Sequence, residues 1–221
     1  MTPTILIKPL ARHHANFLSL LGGITLLLTL LLCNFFWQQA RLPLILMILI
    51  AIVIIFIGIL KWSEPQHSFI LTPKKLHFAH RYGFWQLNWQ QISYINKISE
   101  TFGIEQYQLA YIGIRLNNLS KLACSISPRL ASRLLHEQRP LLAFCLRHQL
   151  ISAEQSIINF TAYIDDNGNE ITGPIAAFLH HSELLKNALG YHLYLPESSL
   201  DREINEFITL LKNCKNNSIS E

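Results

Sequence analysis

Two uninterrupted apolar runs near the N-terminus constrain this chain more than anything else in it. The first, Phe17 to Trp37, is 21 residues long and the second, Leu42 to Leu60, is 19. A helix rises ~1.5 Å per residue, so about 20 residues cross a hydrocarbon core ~30 Å thick. Each run is therefore read as a transmembrane helix. A cleaved signal peptide would have a shorter apolar region and a small-residue cleavage site, and a helix of a soluble core would show a polar face. Neither pattern is present. Between Ala15 and Leu60 the sole formal charge is Arg41, and all 14 acidic residues lie after Lys61.

Gln38, Gln39, Ala40 and Arg41 are all that separate the runs, which makes the helices antiparallel neighbours. Lys8 and Arg12 precede the first run; Lys61, Lys74, Lys75 and Arg81 follow the second. The positive-inside rule then predicts a multi-pass protein with both termini in the cytoplasm. Phe35, Phe36 and Trp37 at one end, with Phe17 and Trp62 at the other, suit the aromatic belts of the two interfaces. Folding the hairpin about its loop brings Gly22 and Gly23 to the depth of Gly58, where small residues would let the backbones approach; ordinary glycine usage in membrane helices explains them equally well.

From about His67 the pattern changes to short alternating runs. His67–Leu71, Lys75–Tyr82, Trp85–Trp89, Ile92–Ile98 and Gln108–Leu116 read as strands, broken at Thr72-Pro73 and at Gly83. In the last of them Tyr111, Gly113 and Arg115 share one face, and Ile112, Ile114 and Leu116 the other. The period then becomes helical. Ser127 followed by Pro128 opens a helix carrying Leu130, Leu134 and Leu135 as its buried stripe, with Arg133 and Glu137 spaced to pair. Pro140 starts another helix. Ser156–Tyr163 reads as a strand, Asp165–Gly168 as a hairpin turn, Pro174–Leu189 as a helix closed by Gly190, and Tyr191–Leu195 as a strand. Ser198 or Ser199 is expected to cap a final helix built on Leu200, Ile204, Phe207 and Leu211. The predicted organisation is an N-terminal cytoplasmic segment (1–16), a membrane hairpin (17–61), an α+β domain (62–214) and a frayed tail (215–221).

Chemistry-bearing motifs are scarce. No serine sits in G-x-S-x-G, no cysteine has a recognisable partner signature, and no glycine-rich phosphate loop occurs. Cys33, Cys124, Cys145 and Cys214 form no C-x-x-C pair and read as small apolar fillers in a reducing compartment. Ten histidines invite a metal site, yet His77 and His80 fall on opposite faces of their strand, and His180 and His181 lie about 100° apart on a helix. No metal and no cofactor is expected. Asp165, Asp166, Asn167 and Asn169 superficially resemble a calcium loop, but glycine stands fourth instead of sixth and Ala176 replaces the bidentate Glu. HRYGFW (80–85) departs from the RNA-recognition consensus, so no nucleic acid is expected.

Charge distribution is more informative. Residues 74–147 hold ten Lys/Arg against three Asp/Glu, whereas residues 148–221 hold four against ten. One reading is a basic surface that meets anionic headgroups, with Lys74, Lys75 and Arg81 holding the domain on a leaflet. The other is that the halves interleave and neutralise each other. Arg129 and Arg133, one turn apart at the start of their helix, offer an anion contact assisted by the helix dipole, or simply a solvated face.

The run FILTPKKLHFAHRYGFWQLNWQQISYINKI, which follows a membrane hairpin and whose meandering strands end in the W-x-x-I-type segment Trp89–Ile92, resembles the start of bacterial pleckstrin-homology-like domains. YIGIRLNN (111–118), SISPRLASRLLHEQRPLL (125–142) and LDREINEFITLL (200–211) resemble a family of uncharacterised inner-membrane proteins of Gammaproteobacteria. The resemblance covers most of residues 61–212 and implies an antiparallel pleckstrin-homology-like sheet with inserted and C-terminal helices, in the bacterial inner membrane. It carries over no functional residue. The expected function is a membrane-anchored binding or scaffolding module with a protein partner, without catalytic chemistry. The alternatives are an enzyme acting on lipid or envelope precursors at the membrane surface, and a sensor of anionic lipids.

Overall fold

The structure, a computed structural model, describes residues 4–9, 15–62, 65–102 and 105–219. Arg12, counted above among the charges before the first apolar run, lies outside the described residues, as do Ser220 and Glu221 of the tail. The chain divides into two compact units, Pro9–Gln66 and the pair of segments Met1–Lys8 with His67–Glu221.

The smaller unit is the hairpin. Helix α1 (Ala15–Phe36) and helix α2 (Arg41–Trp62) are joined by a tight turn in which the amides of Gln39 and Ala40 donate to Phe36 O. Along α1 the side chains withdrawn from solvent include Ser19, Gly22, Leu26, Thr29 and Cys33; along α2 they include Leu44, Ile48, Ala51, Ile55 and Gly58. Both sets step by threes and fours, the spacing of a left-handed antiparallel coiled coil. A Cβ on Gly22 would stand 2.7 Å from Ile55 Cγ1, and one on Gly58 2.8 Å from Ser19 N. These two glycines are the close-approach points. Gly23 faces away, with nothing within 4 Å of the same position. The hydroxyls of Thr25 and Thr29 donate to the carbonyls of Leu21 and Thr25, so neither asks for water. At the open end the Trp62 indole donates to Asn16 Oδ1 at 2.7 Å. Only 11% and 17% of the most apolar windows are buried, which is unlike the core helix of a soluble protein. These are two helices long and apolar enough to cross a membrane, with an apolar outer surface.

The larger unit is α+β. Strands β1 (Ile5–Ile7), β2 (Phe69–Leu71), β3 (Lys75–His80) and β4 (Gly83–Asn88) form an antiparallel sheet in that order. Alternation sends Leu76, Phe78, Trp85 and Leu87 inward. The segment expected to stand apart as residues 1–16 thus contributes a strand: Ile5 pairs with Leu71 and Ile7 with Phe69. The hairpin unit is inserted between two neighbouring strands of one sheet. A 3-10 turn at Trp89–Gln91 carries the chain into a second antiparallel sheet, ordered β5 (Ile92–Phe102), β6 (Glu105–Leu116), β9 (Leu193–Pro196). Trp89 buries its ring and donates its indole N–H to Thr72 O at 2.8 Å, pinning this corner.

Between β6 and β9 come α3 (Ser120–Ser125), α4 (Pro128–Glu137), α5 (Arg139–Arg147), the small hairpin β7 (Tyr163–Ile164) and β8 (Glu170–Ile171), and α6 (Gly173–Leu189). Gly190, at φ 87°, ends α6 in the left-handed conformation expected of a C-terminal glycine. Helix α7 (Ile204–Ile219) packs Phe207, Ile208 and Leu211 into the main core with both sheets. A second cluster joins Leu141, Leu142 and Cys145 of α5, Leu185 and Leu189 of α6, and Ile98 and Tyr194 on the other face of the β5–β6–β9 sheet.

Four further expectations are corrected. The segment 156–163 is irregular up to Tyr163, because Ser152 and Gln155 exchange side-chain-to-backbone hydrogen bonds and Ser156 turns back onto Ala153 O; such local bonds compete with strand pairing. Neither Ser198 nor Ser199 caps α7. Ser199 donates its hydroxyl to Pro196 O within a 3-10 turn at Glu197–Ser199, and the first helical bond runs from Phe207 N to Glu203 O. The tail is helical as far as Ile219, held where Lys212 reaches Asn96 Oδ1 at 2.8 Å and Lys215 reaches Ser93 O. Helix α3 has no counterpart among the expected elements.

Candidate functional site

The candidate site forms where the β3–β4 turn meets the start of α4. Arg81 and Tyr82 make the two-residue tip of that hairpin, and Gly83 follows at φ 143°. Only glycine suits this position, for two reasons. The backbone lies in a region side chains rarely adopt, and a Cβ there would stand 1.9 Å from Ser127 Oγ. The close approach docks α4 onto the turn. Ser127 is the N-cap that the sequence implies: its hydroxyl accepts from Leu130 N at 3.3 Å and donates to Tyr82 O at 3.3 Å, while its amide donates to Phe84 O.

The docking gathers charge. The Arg81 guanidinium carbon lies 5.0 Å from the Tyr82 ring centroid and that of Arg133 5.3 Å, both within reach of a cation–π contact. Arg133 also donates to Glu137 Oε1 at 2.7 Å, the pair expected from their spacing. His80 Nε2 approaches the same carboxylate at 3.6 Å. Beside the ring is an open depression of 520 Å³ lined by Tyr82, Pro128, Arg129, Ser132, Arg133, His136 and Pro174. Among the described residues its lining contains no carboxylate. Three guanidiniums and one acid make the face cationic, and the first turn of α4 adds the positive end of its dipole. Nearby, burial first and the Glu137 charge second push the Tyr111 hydroxyl above its ordinary value, so no phenolate forms at neutral pH.

Of the five residues singled out in the sequence, the structure brings together Arg81, Arg129 and Arg133. Lys74 and Lys75 are exposed but sit in the β2–β3 turn and at the first position of β3, at its other end. At ~3.4 Å per residue that strand holds them about 20 Å or more from Arg81. Nothing in the sequence marks Tyr82 as the centre of the site. The signals are Gly83 and Ser127, which mean little until they are seen to touch.

The remaining chemistry is structural. Asp165 accepts from the amides of Asn167 and Asn169 through Oδ1, and from Asn169 Nδ2 through Oδ2. These bonds, that from the Asn169 side chain foremost, hold its carboxyl below the usual range. The carboxylate is consumed by the turn. His180 and His181 diverge as the helical angle requires: His180 meets Thr161, whereas His181 is buried, and burial lowers its imidazole to about 4. Among the described residues, no three His, Cys, Asp or Glu gather as a metal site would need. The ion pairs Arg133–Glu137, Lys186–Glu183 and Arg202–Asp201 are each local in sequence, so none of these three joins the basic half to the acidic one.

The profile of a family described as a protein of unknown function (DUF2982) matches residues 69–217. No curated protein and no solved structure matches the chain significantly.

Proposed function

Starting from a chain that belongs to the DUF2982 family, whose description assigns no activity, we propose a membrane-anchored binding module that recognises an anionic group on a protein partner. The observation that carries the reading is the Tyr82 ring held between Arg81 and Arg133, beside a depression lined by Arg129 and free of carboxylates. Guanidiniums suit carboxylate and phosphate because their planar donors can engage two oxygens at once. The partner is a membrane protein presenting an acidic or phosphorylated segment, and the hairpin keeps the module concentrated in the plane where that partner lies.

The module sits on the cytoplasmic side of a bacterial inner membrane. Lys8 and Lys61 flank the apolar helices on one side against Arg41 on the other, which favours that orientation, and the pairing of β1 with β2 returns both ends of the hairpin to the same folded unit. The fold is read as pleckstrin-homology-like. In support, four meandering strands are followed by a second sheet and a helix that closes the core, with α3 to α6 as an insertion before the last strand.

The test is crosslinking in native membranes followed by affinity purification, comparing the wild type with R81A/R129A/R133A. A stoichiometric partner should be recovered with the wild type and depleted with the variant. Equal recovery with both, or repeated recovery of none, refutes the reading. Anionic phospholipid that co-purifies only with the wild type would transfer the site to lipid headgroups.

A further inference from the structure

The register of the first sheet decides where the cationic face stands along the chain. Phe69 pairs with Phe78 and His80 with Gly83, and the Ala79 amide donates to Ser68 O at 2.8 Å. The tip Arg81–Tyr82 therefore lies at the end of the sheet where β2 begins. Strand β1 runs antiparallel to β2 and finishes there too: Ile7 pairs with Phe69, and the Ser68 amide donates to Ile7 O at 2.9 Å. Lys8 and Ser68 thus mark the end at which the chain departs for the hairpin and returns from it. Lys74 and Lys75 are at the opposite end.

Both connections are short. Ser68 stands six positions after Trp62, the last residue of α2, and Ala15, the first of α1, seven positions after Lys8. Fully extended, at ~3.3–3.6 Å per residue, such segments reach no more than about 20–25 Å. Tyr82 is three residues beyond Ala79, about 10 Å along the strand. The Tyr82 face therefore works within about 30 Å of chain from a helix long and apolar enough to cross a membrane.

Charge at this end is divided. The Ser68 hydroxyl donates to Ser199 O, which seats the turn bearing Glu197, with Asp201 and Glu203 close behind it, at the same end of the sheet. Arg202 answers Asp201, and the stretch stays net acidic. A leaflet of anionic lipid is a continuous negative plane, so it would attract the arginines and repel this turn. A short acidic segment can meet the arginines without meeting the acids.

Given that the Tyr82 face takes an anion, as proposed above, we infer that the anion is carried on the juxtamembrane segment of a second membrane protein. It lies within about ten residues of the end of that protein's transmembrane helix, the length of extended chain that covers the same ~30 Å. The two short connections keep the arginines within reach of the membrane surface, and Arg81, Arg129 and Arg133 select acid among the segments that emerge beside them. Acid held on a partner's distal domain is out of range.

The experiment uses the full chain in nanodiscs of neutral phosphatidylcholine. Ser132 lines the depression, so S132C, in a background without native cysteines, serves as a disulfide trap there. Three synthetic probes carry the same segment, glutamates flanking one cysteine. The near probe has it directly after a transmembrane polyleucine helix, the far probe sets it beyond a rigid helical spacer about 45 Å long, and the free probe has no helix. Under copper–phenanthroline oxidation the near probe should be trapped at least five times more than the far one, and R81A/R129A/R133A should remove the excess. Arginine-dependent trapping that is equal for the near and far probes overturns the juxtamembrane placement and leaves the anion site standing. No arginine-dependent trapping of any probe, the free one included, removes the anion site and the placement with it.

Discussion

Acid should weaken the folded unit through His181, and the size of the effect can be worked out in advance. In the folded state burial lowers this imidazole from 6.5 to about 4. In the unfolded chain it takes up its proton near 6.5. Between those values the unfolded state holds more protons, so stability falls as pH drops from 6.5 towards 4 and is unaffected by this group above that window. At ~1.4 kcal/mol per unit the full loss is about 3 kcal/mol, of which about 2 kcal/mol is reached by pH 5. That is large beside the ~5–15 kcal/mol that holds a typical domain together. His192 is lowered to about 4 as well, chiefly by burial, although Glu183 opposes the shift; it contributes equally to both proteins in a comparison with H181L and cancels. The assay is urea unfolding of the full chain in neutral nanodiscs, followed by tryptophan emission. Trp85 and Trp89, both buried, report on the folded unit. The stability of the wild type relative to H181L should decline by about 2 kcal/mol between pH 7 and pH 5. A difference that stays flat over this range would falsify the assignment of His181 as a buried neutral group.

Three other outcomes follow from the packing. G58L should disrupt the hairpin, since its side chain would enter the Ser19 backbone, while G23L, pointing into open space, should be tolerated; monodispersity on size exclusion in mild detergent separates the two. I7D places a carboxylate at a fully buried position of β1 and should cost about 3 kcal/mol or more in the same urea assay, whereas an N-terminal segment independent of the domain would show no change. In a background without native cysteines, Q38C should react with a membrane-impermeant maleimide from outside intact cells and N213C should not. The reverse labelling pattern would overturn the cytoplasmic placement.

What can be read from the sequence depends on how local each cause is. The hairpin is written in two apolar runs, and β3 and β4 in an alternation of period two that needs no partner to be seen. Strand β1 is three residues, Ile-Leu-Ile, whose pairing partner lies beyond the whole hairpin. Nothing local marks it, so it reads as part of a cytoplasmic N-terminal segment. Helix α3 is six residues with no repeat to betray it. Arg81, Arg129 and Arg133 are visible one by one, but their meeting rests on the Gly83–Ser127 approach, made by residues forty-four positions apart in the sequence. The error at 156–163 has another origin. An apolar run has the look of a strand, while Ser152 and Gln155 fix a turn beside it.

The insertion of the hairpin between β1 and β2 also dictates an order of events on the ribosome. Sixty-two positions separate Ile7 from its partner Phe69, and at ~5–20 residues per second their synthesis takes about 3–12 s. During that interval β1 has nothing to pair with, and both apolar helices are made before β2 appears. The sheet is therefore completed only after the whole hairpin has been synthesised. The brevity of β1 fits this delay: three residues offer a passing chain little edge on which to aggregate.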